Sequence, residues 1–176
     1  LFEDNRMDFD EQAAYLAHKS GTLKLQPFIE NATDALANKY YSTISGTPLP
    51  VRKAIGTFAN LATIQAKPMF DGDKNSFYTS GDAQKDGSWI GMDLGEVTEV
   101  KSIIINQGRN VPNDVDYFDM ARLEYSLDGE NWQILRDGIN KVYDVVWEGA
   151  PIQARYVRLA RNDESERQNW VAIRSF

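Results

Sequence analysis

Carboxylates, a single imidazole and a tight acidic loop are the groups in this chain whose chemistry bears most directly on function. The loop Asp71-Gly72-Asp73, followed by Ser76, sets oxygen donors at close spacing. A hard cation such as Ca²⁺ takes that donor type. Aspartates that cap the backbone amides of a turn use the same residues, so both readings stand at this point. Two acidic pairs, Asp114 with Asp116 and Glu164 with Glu166, match in composition the carboxylates that cleave glycosidic bonds. Those work about 5–10 Å apart, whereas solvated acidic loops share only the composition. His18 is the sole histidine and falls on a helical pattern, where such a residue more often packs or meets water than acts as a base. Cysteine is absent, which excludes disulfides, thiolate zinc sites and cysteine nucleophiles together. Catalysis by this chain is not expected.

The elements that must hold these groups divide near residue 45. Upstream, Phe9, Ala13, Leu16 and Ala17 share one helical face, with Asp8, Asp10 and Glu11 in the first turn where the dipole favours acids. Gly21 closes that helix, and Pro27 suits the first turn of a second carrying Phe28, Ala32, Leu36 and Tyr40. Residues 1–45 therefore read as a helical segment, the tail of a larger helical domain, since two such helices bury too little surface alone. Residues 46–57, with Gly46, Pro48 and Pro50, read as a linker. From there the hydrophobic period drops to two. Strands are expected over 89–94, 100–105, 121–127, 132–135, 142–147, 154–160 and 170–176. Gly87, Gly95, Asp128-Gly129, Asp137-Gly138 and Gly149 punctuate them. Short strands without intervening helices make a β-sandwich or jelly roll.

Composition narrows the partners. Net charge is −7, with an isoelectric point near 4.8, and nothing clusters Lys and Arg as nucleic acid or an anionic membrane requires. No run reaches the roughly 18 apolar residues of a membrane span. The chain opens on Leu1 without a signal-peptide pattern and is expected to be a piece of a longer protein.

Four segments in order carry a family resemblance. They are Phe70-Asp71-Gly72-Asp73-Lys74-Asn75-Ser76-Phe77-Tyr78, Trp89-Ile90-Gly91-Met92-Asp93-Leu94-Gly95, Leu123-Glu124-Tyr125-Ser126-Leu127-Asp128-Gly129-Glu130-Asn131-Trp132 and Ala154-Arg155-Tyr156-Val157-Arg158-Leu159. Together they resemble the discoidin, or coagulation factor V/VIII C-type, domain. The chain is most similar to carbohydrate-binding module family 32 of secreted bacterial glycoside hydrolases. Gln107-Gly108-Arg109-Asn110 and Asp116-Tyr117-Phe118 are similar to modules on β-N-acetylglucosaminidases and hyaluronidase-like enzymes of family 84. The resemblance implies a mainly β, discoidin-like (galactose-binding-like) jelly roll over 58–176, preceded by the α-helical segment. It also implies a secreted or cell-surface location and a monomer within a larger multidomain enzyme.

The resemblance further implies a structural calcium held by the Pro68 carbonyl, the Asp71 side chain and oxygens of Asp73 and Ser76. A last-strand glutamate usual in the family is replaced here by Ser175, which weakens the implied site. Loops 79–86, 109–116 and 161–170 are expected to meet at one end of the sandwich. They supply Asp82, Gln84, Arg109, Asn110, Asp114, Asp116, Asn162, Arg167, Gln168 and Asn169 as polar groups for sugar hydroxyls, or as solvated surface. Tyr117 or Trp170 offers an apolar ring face, Trp170 being equally suited to core packing. Tyr78 stands where the family has a buried Trp, and Trp89, Trp132 and Trp147 are read as structural. Galactose-binding members follow that Trp with His, where this chain has Thr79. The implied ligand is thus a glycan ending in N-acetylglucosamine or a galactose-type sugar, N-acetylglucosamine first. An adhesion module that binds protein is the alternative.

Overall fold

The computed structural model describes Tyr41 and residues 46–176. Tyr41 apart, the helical segment expected upstream of residue 46, with His18, lies outside the described residues. Among the described residues seven strands follow one another: β1 Lys53–Gly56, β2 Tyr78–Thr79, β3 Trp89–Gln107, β4 Ala121–Ser126, β5 Gln133–Ile139, β6 Asp144–Arg161 and β7 Ala172–Ser175. They hydrogen-bond in the order β2-β7-β3-β6-β4-β5, with β1 also on β3, and each assigned pair is antiparallel. This is the mainly β jelly roll that the alternation of apolar residues predicts, with the discoidin-like fold that the resemblance implies.

The spine differs from expectation. Residues 89–94 and 100–105 are not two strands but parts of β3, 19 residues long, and 142–147 and 154–160 merge into the 18-residue β6. Gly95, expected to end a strand, instead sits at φ +91° inside an irregularity between the Asp93–Tyr156 and Thr98–Ala154 pairs. Bulges bend strands without ending them. Asp93 fixes this bend: its Oδ1 accepts from the Gly95 N–H at 2.8 Å and from Arg155 Nε at 3.1 Å. Burial pushes the Asp93 carboxyl up, but these hydrogen bonds and the Arg155 and Arg52 charges outweigh it and hold it below the usual carboxylate range.

The stretch read as a linker, 46–57, contains β1, which pairs Lys53–Gly56 with Ile90–Asp93 of β3. Four residues are too few to show a period of two, and the prolines before them gave the stronger signal. Gly56 permits the contact: a Cβ there would stand 2.3 Å from the Trp89 carbonyl.

The core gathers Ile90, Met92, Ile105, Phe118, Leu123, Leu159 and Ile173 with Tyr78, which is wholly buried as expected. Trp89 and Trp132 lie half-buried with ring centroids 6.0 Å apart, and the Arg158 guanidinium sits 3.8 Å over Trp132. Glu124 accepts from Arg158 Nε at 2.7 Å, fixing that stack on the sheet. Two 3₁₀ turns, Ala59–Ala62 and Ile64–Phe70, close over the core between β1 and β2.

Candidate functional site

Three loops meet where β2, β7 and the end of β3 come together. The backbone joins them: Gln84 N–H donates to Asn169 O at 3.1 Å, Asn162 N–H to Met120 O at 2.9 Å, and Ala172 N–H to Asp116 O at 3.0 Å. Loops 79–86, 109–116 and 161–170 thus do converge. What they present differs in part from the sequence reading.

Residues 108–119 form the centre. Asp114 Oδ2 accepts from the N–H groups of Arg109 at 2.6 Å and Asn110 at 2.8 Å, folding the loop on itself. The Tyr143 hydroxyl donates to Pro112 O at 3.1 Å and to Asp114 O. Burial first, then the charge of Asp114, raises the Tyr143 pKa, so this hydroxyl stays a donor. Arg109 Nη2 lies 3.0 Å from Asp116 Oδ2; the arginine side chain is 44% exposed, while the aspartate side chain is 10% exposed. The two are an ion pair without an aligned hydrogen bond, because that oxygen has no geometric donor. Asp114 Oδ1 and Asp119 Oδ1 are likewise buried without a donor, and Arg167 Nε stands 3.2 Å from Asp119 Oδ2, also misaligned. Buried polar atoms normally find partners, so this loop end retains acceptor capacity.

Two sequence candidates change role. Gln84 is 1% exposed. Its Nε2 donates to Tyr117 O at 2.8 Å, and its Oε1 accepts from Asp119 N–H at 2.9 Å and Arg161 Nη1 at 3.3 Å. Nothing on it is left to meet a ligand, so it is an internal pin and not a contact. Tyr117 is 8% exposed and packs edge-on against Tyr143, with centroids 5.4 Å apart, which leaves no open face. Trp170 settles the other way: at 45% exposed it is a surface ring, not core. Exposed Val115 joins the same rim, since Asn169 Nδ2 donates to the Val115 carbonyl at 2.7 Å. Asp82, Asn110, Asn162 and Gln168, on the same three loops, are exposed.

Several residues that organise this end escaped the sequence reading. Gln107 mirrors Gln84: its Oε1 accepts from Phe118 N–H at 2.9 Å and its Nε2 donates to Val142 O at 3.1 Å. Its carbonyl accepts from the buried Tyr41 hydroxyl at 2.6 Å, and burial pushes that phenol up to about 12. Asp119, Arg161 and Arg174 belong here too. Apart from Asp163 and Ser165, which Arg161 reaches locally, their partners lie far along the chain, so no local signal marks them.

The acidic loop forms the capped turn that one of its two readings expects. Asp71 Oδ1 caps Asp73 N–H and Asp73 Oδ1 caps Asn75 N–H, each at 2.8 Å. The remaining oxygens converge: Ser76 Oγ lies 2.7 Å from Asp71 Oδ2 and 3.0 Å from Asp73 O. Three neighbouring oxygens of these types fit a hard cation. The set holds one carboxylate oxygen, Asp71 Oδ2, which accepts from Ser76 Oγ, and among the described residues no cluster of three or more acidic or histidine side chains could add to it. Ser175 gives nothing, since its hydroxyl donates to Asn106 Oδ1 at 2.7 Å. Pro68 sits within the preceding 3₁₀ turn.

A separate open cavity of about 730 Å³ lies beside β1, lined by Arg52, Ile55, Phe58, Ile64, Lys67 and Phe70 among others. No sequence-predicted site residue lines it. The candidate site is instead a loop rim on the jelly roll.

The F5/8 type C domain pattern matches residues 57–176, and the chain belongs to that discoidin family. Solved structures share the fold at low identity. Chitosan-binding module 1 of a chitosanase/glucanase from Paenibacillus sp. IK-5 is 18% identical, with TM-score 0.58, covering 74% of this chain and 96% of that one. The family 32 module of AlyQ, solved with 4,5-unsaturated mannuronic acid, is 15% identical with TM-score 0.53, covering 74% and 95%. CpGH89CBM32-5 from Clostridium perfringens, solved with GalNAc-β-1,3-galactose, is 17% identical with TM-score 0.53, covering 70% and 91%. No curated protein matches the chain.

Proposed function

We propose that this domain binds glycans without transforming them, and that it holds a parent glycoside hydrolase of the β-N-acetylglucosaminidase or hyaluronidase-like type on a glycan-rich surface outside the cell. The observation that carries the reading is the exposed Trp170 ring on the loop that Asn169, through the Val115 carbonyl, ties to the loop pairing Arg109 with Asp116. A sugar has an apolar C–H face and a hydroxyl edge. An open aromatic face takes the first, and a charged donor beside a charged acceptor takes the second. Arg109 donates to ring oxygens or hydroxyls, and the buried Asp116 carboxylate holds the guanidinium that does so. Asn169 holds the rim through Val115, and Asp82 and Asn110 stand at its edge. The ligands named for the solved relatives, chitosan-type and GalNAc–galactose glycans, support the class. A terminal N-acetylglucosamine is the first expected ligand, a galactose-type sugar the second. A site this shallow binds weakly alone and gains from tethering to the catalytic domain, which raises the effective sugar concentration.

Titration calorimetry against N-acetylglucosamine, galactose and N-acetyllactosamine tests this. Trp170→Ala and Arg109→Ala are each expected to weaken binding by about tenfold or more, roughly 1.4 kcal/mol, with unfolding temperature unchanged in Trp170→Ala. A wild-type chain that gives no heat with these sugars or on a broad glycan array would transfer the site to a protein ligand.

The same reading includes calcium at Asp71, Asp73 and Ser76, with the Pro68 carbonyl, as a structural ion that stiffens the loop before β2. With one carboxylate oxygen in the set, its affinity is low. Millimolar Ca²⁺ is expected to raise the unfolding temperature by about 2–4 °C, equivalent to about 1 kcal/mol. Asp71→Asn should remove that response to calcium and its reversal by chelator. An identical melting curve with calcium and with chelator in the wild type would remove the ion from the proposal.

A further inference from the structure

Arg174 lies on β7 and reaches two loops that the glycan reading treats separately. Its Nε donates to Gly108 O at 2.9 Å and its Nη2 donates to Arg109 O. Its Nη1 donates to Lys74 O at 2.7 Å and Asn75 O at 3.4 Å. The guanidinium also lies 5.2 Å from the centroid of Phe77. Four carbonyls from two segments, 74–75 and 108–109, therefore converge on one cation.

The 108–109 turn needs such a partner. Gly108 is at φ +95°, and a Cβ there would meet Tyr143 and Val111 at 2.7 Å, so no side chain of its own can brace it. Arg109 is held from both sides. Asp114 takes its N–H, and Arg174 binds its carbonyl. The two anchors fix the backbone from which the exposed Arg109 side chain extends to Asp116.

We propose that Arg174 is the positioning residue of the glycan site, a guanidinium clamp that binds the 71–77 loop and the 108–110 turn into one rigid body and so sets where Arg109 points. The proposal rests on the glycan reading for its functional half and on geometry alone for its structural half. Guanidinium chemistry is essential to it: a planar fork of five N–H donors can serve several carbonyls at once, whereas an ammonium is a single point charge. It also links the loop proposed for calcium to the sugar rim, so order gained at 71–77 passes to Arg109.

The full chain, as wild type, Arg174→Gln and Arg174→Lys, is compared by amide hydrogen exchange and by titration with N-acetylglucosamine and N-acetyllactosamine. In Arg174→Gln, exchange is expected to speed up about tenfold or more in both 71–77 and 108–110, from the loss of charge-assisted hydrogen bonds, while central β3 amides stay protected. Sugar affinity falls about tenfold with stoichiometry unchanged. Arg174→Lys, which keeps the charge but loses the fork, falls between wild type and Arg174→Gln in both readouts and guards against a Gln variant that fails to fold. Faster exchange in only one of the two segments overturns the clamp, as does unchanged exchange in both. Faster exchange with wild-type sugar affinity overturns positioning. A wild type that binds no sugar removes the glycan reading and with it the functional half, while the exchange data still decide the clamp.

Discussion

Replacing Arg161 with alanine is expected to destabilise the domain by about 3–5 kcal/mol, the range for removing one partner of a buried charged network. The side chain is fully buried. Its Nη1 reaches Gln84 Oε1 at 3.3 Å, and its Nε reaches Asp163 O at 3.2 Å. Its Nη2 binds Asp163 Oδ2 at 3.2 Å, Ser165 O at 2.6 Å and Ser165 Oγ at 3.1 Å. Alanine leaves those acceptors facing a cavity, where each unmet group keeps its full desolvation cost. Lysine retains the charge but cannot serve both Gln84 and the 163–165 turn. Hydrogen bonds from Ser165 first, and then the Arg161 charge, hold the Asp163 carboxyl below its ordinary range. A lowered folded-state pKa means this contribution is complete above the ordinary carboxylate range and is lost only as pH falls through the lower folded value. Denaturant unfolding at neutral pH, read at unchanged slope, checks the prediction. A loss under about 1 kcal/mol would mean the 162–170 loop is held by its backbone pairing instead.

Much of the fold was legible because its signals are local. The Ser126–Trp132 hairpin tip is an example. Asp128 Oδ1 accepts from the N–H groups of Glu130 and Asn131, each at 2.8 Å, so four adjacent residues encode the turn that joins β4 to β5. Tyr78 in the core followed from a pattern position, and its hydroxyl finds Asn60 Oδ1 at 2.6 Å. Where strands were mis-segmented, the cause was equally physical. A glycine in the left-handed region marks a turn and a bulge alike, and which one forms at Gly95 depends on Arg155, 62 residues from its Asp93 partner.

The site was legible only in outline. Three polar loops were rightly expected to meet, but polarity does not distinguish a side chain facing water from one satisfied inside. Gln84 looks like a ligand contact in sequence because its partners, Tyr117 O and Asp119 N–H, lie 33 and 35 residues away. Trp170 was ambiguous for the converse reason. Its neighbour Val171 is fully buried and Trp170 is not, a one-residue phase difference that β7 and loop 115–117 set between them. Arg174 carried no signal at all, since the groups it serves are backbone carbonyls, which every sequence has.

Phe118→Ala is the other change expected to cost about 3–5 kcal/mol, and it joins the core to the site. The ring is completely buried, 6.4 Å from Phe58 at a tilt of 53°, in the middle of the loop that ends the candidate rim. Its N–H donates to Gln107 Oε1, while the adjacent Tyr117 carbonyl and Asp119 N–H are pinned by Gln84. The two glutamines hold the backbone of 117–119, and the ring fills the core beneath it. Alanine would open a cavity there and leave both pins on a loop with no plug, so the folded fraction should also bind sugar more weakly. Phe118→Leu keeps most of the volume and should cost under about 1.5 kcal/mol. Because Arg161 also reaches Gln84, the Phe118→Ala and Arg161→Ala losses should combine non-additively, with coupling of about 0.5 kcal/mol or more in the double mutant. Strict additivity would show that plug and network are independent.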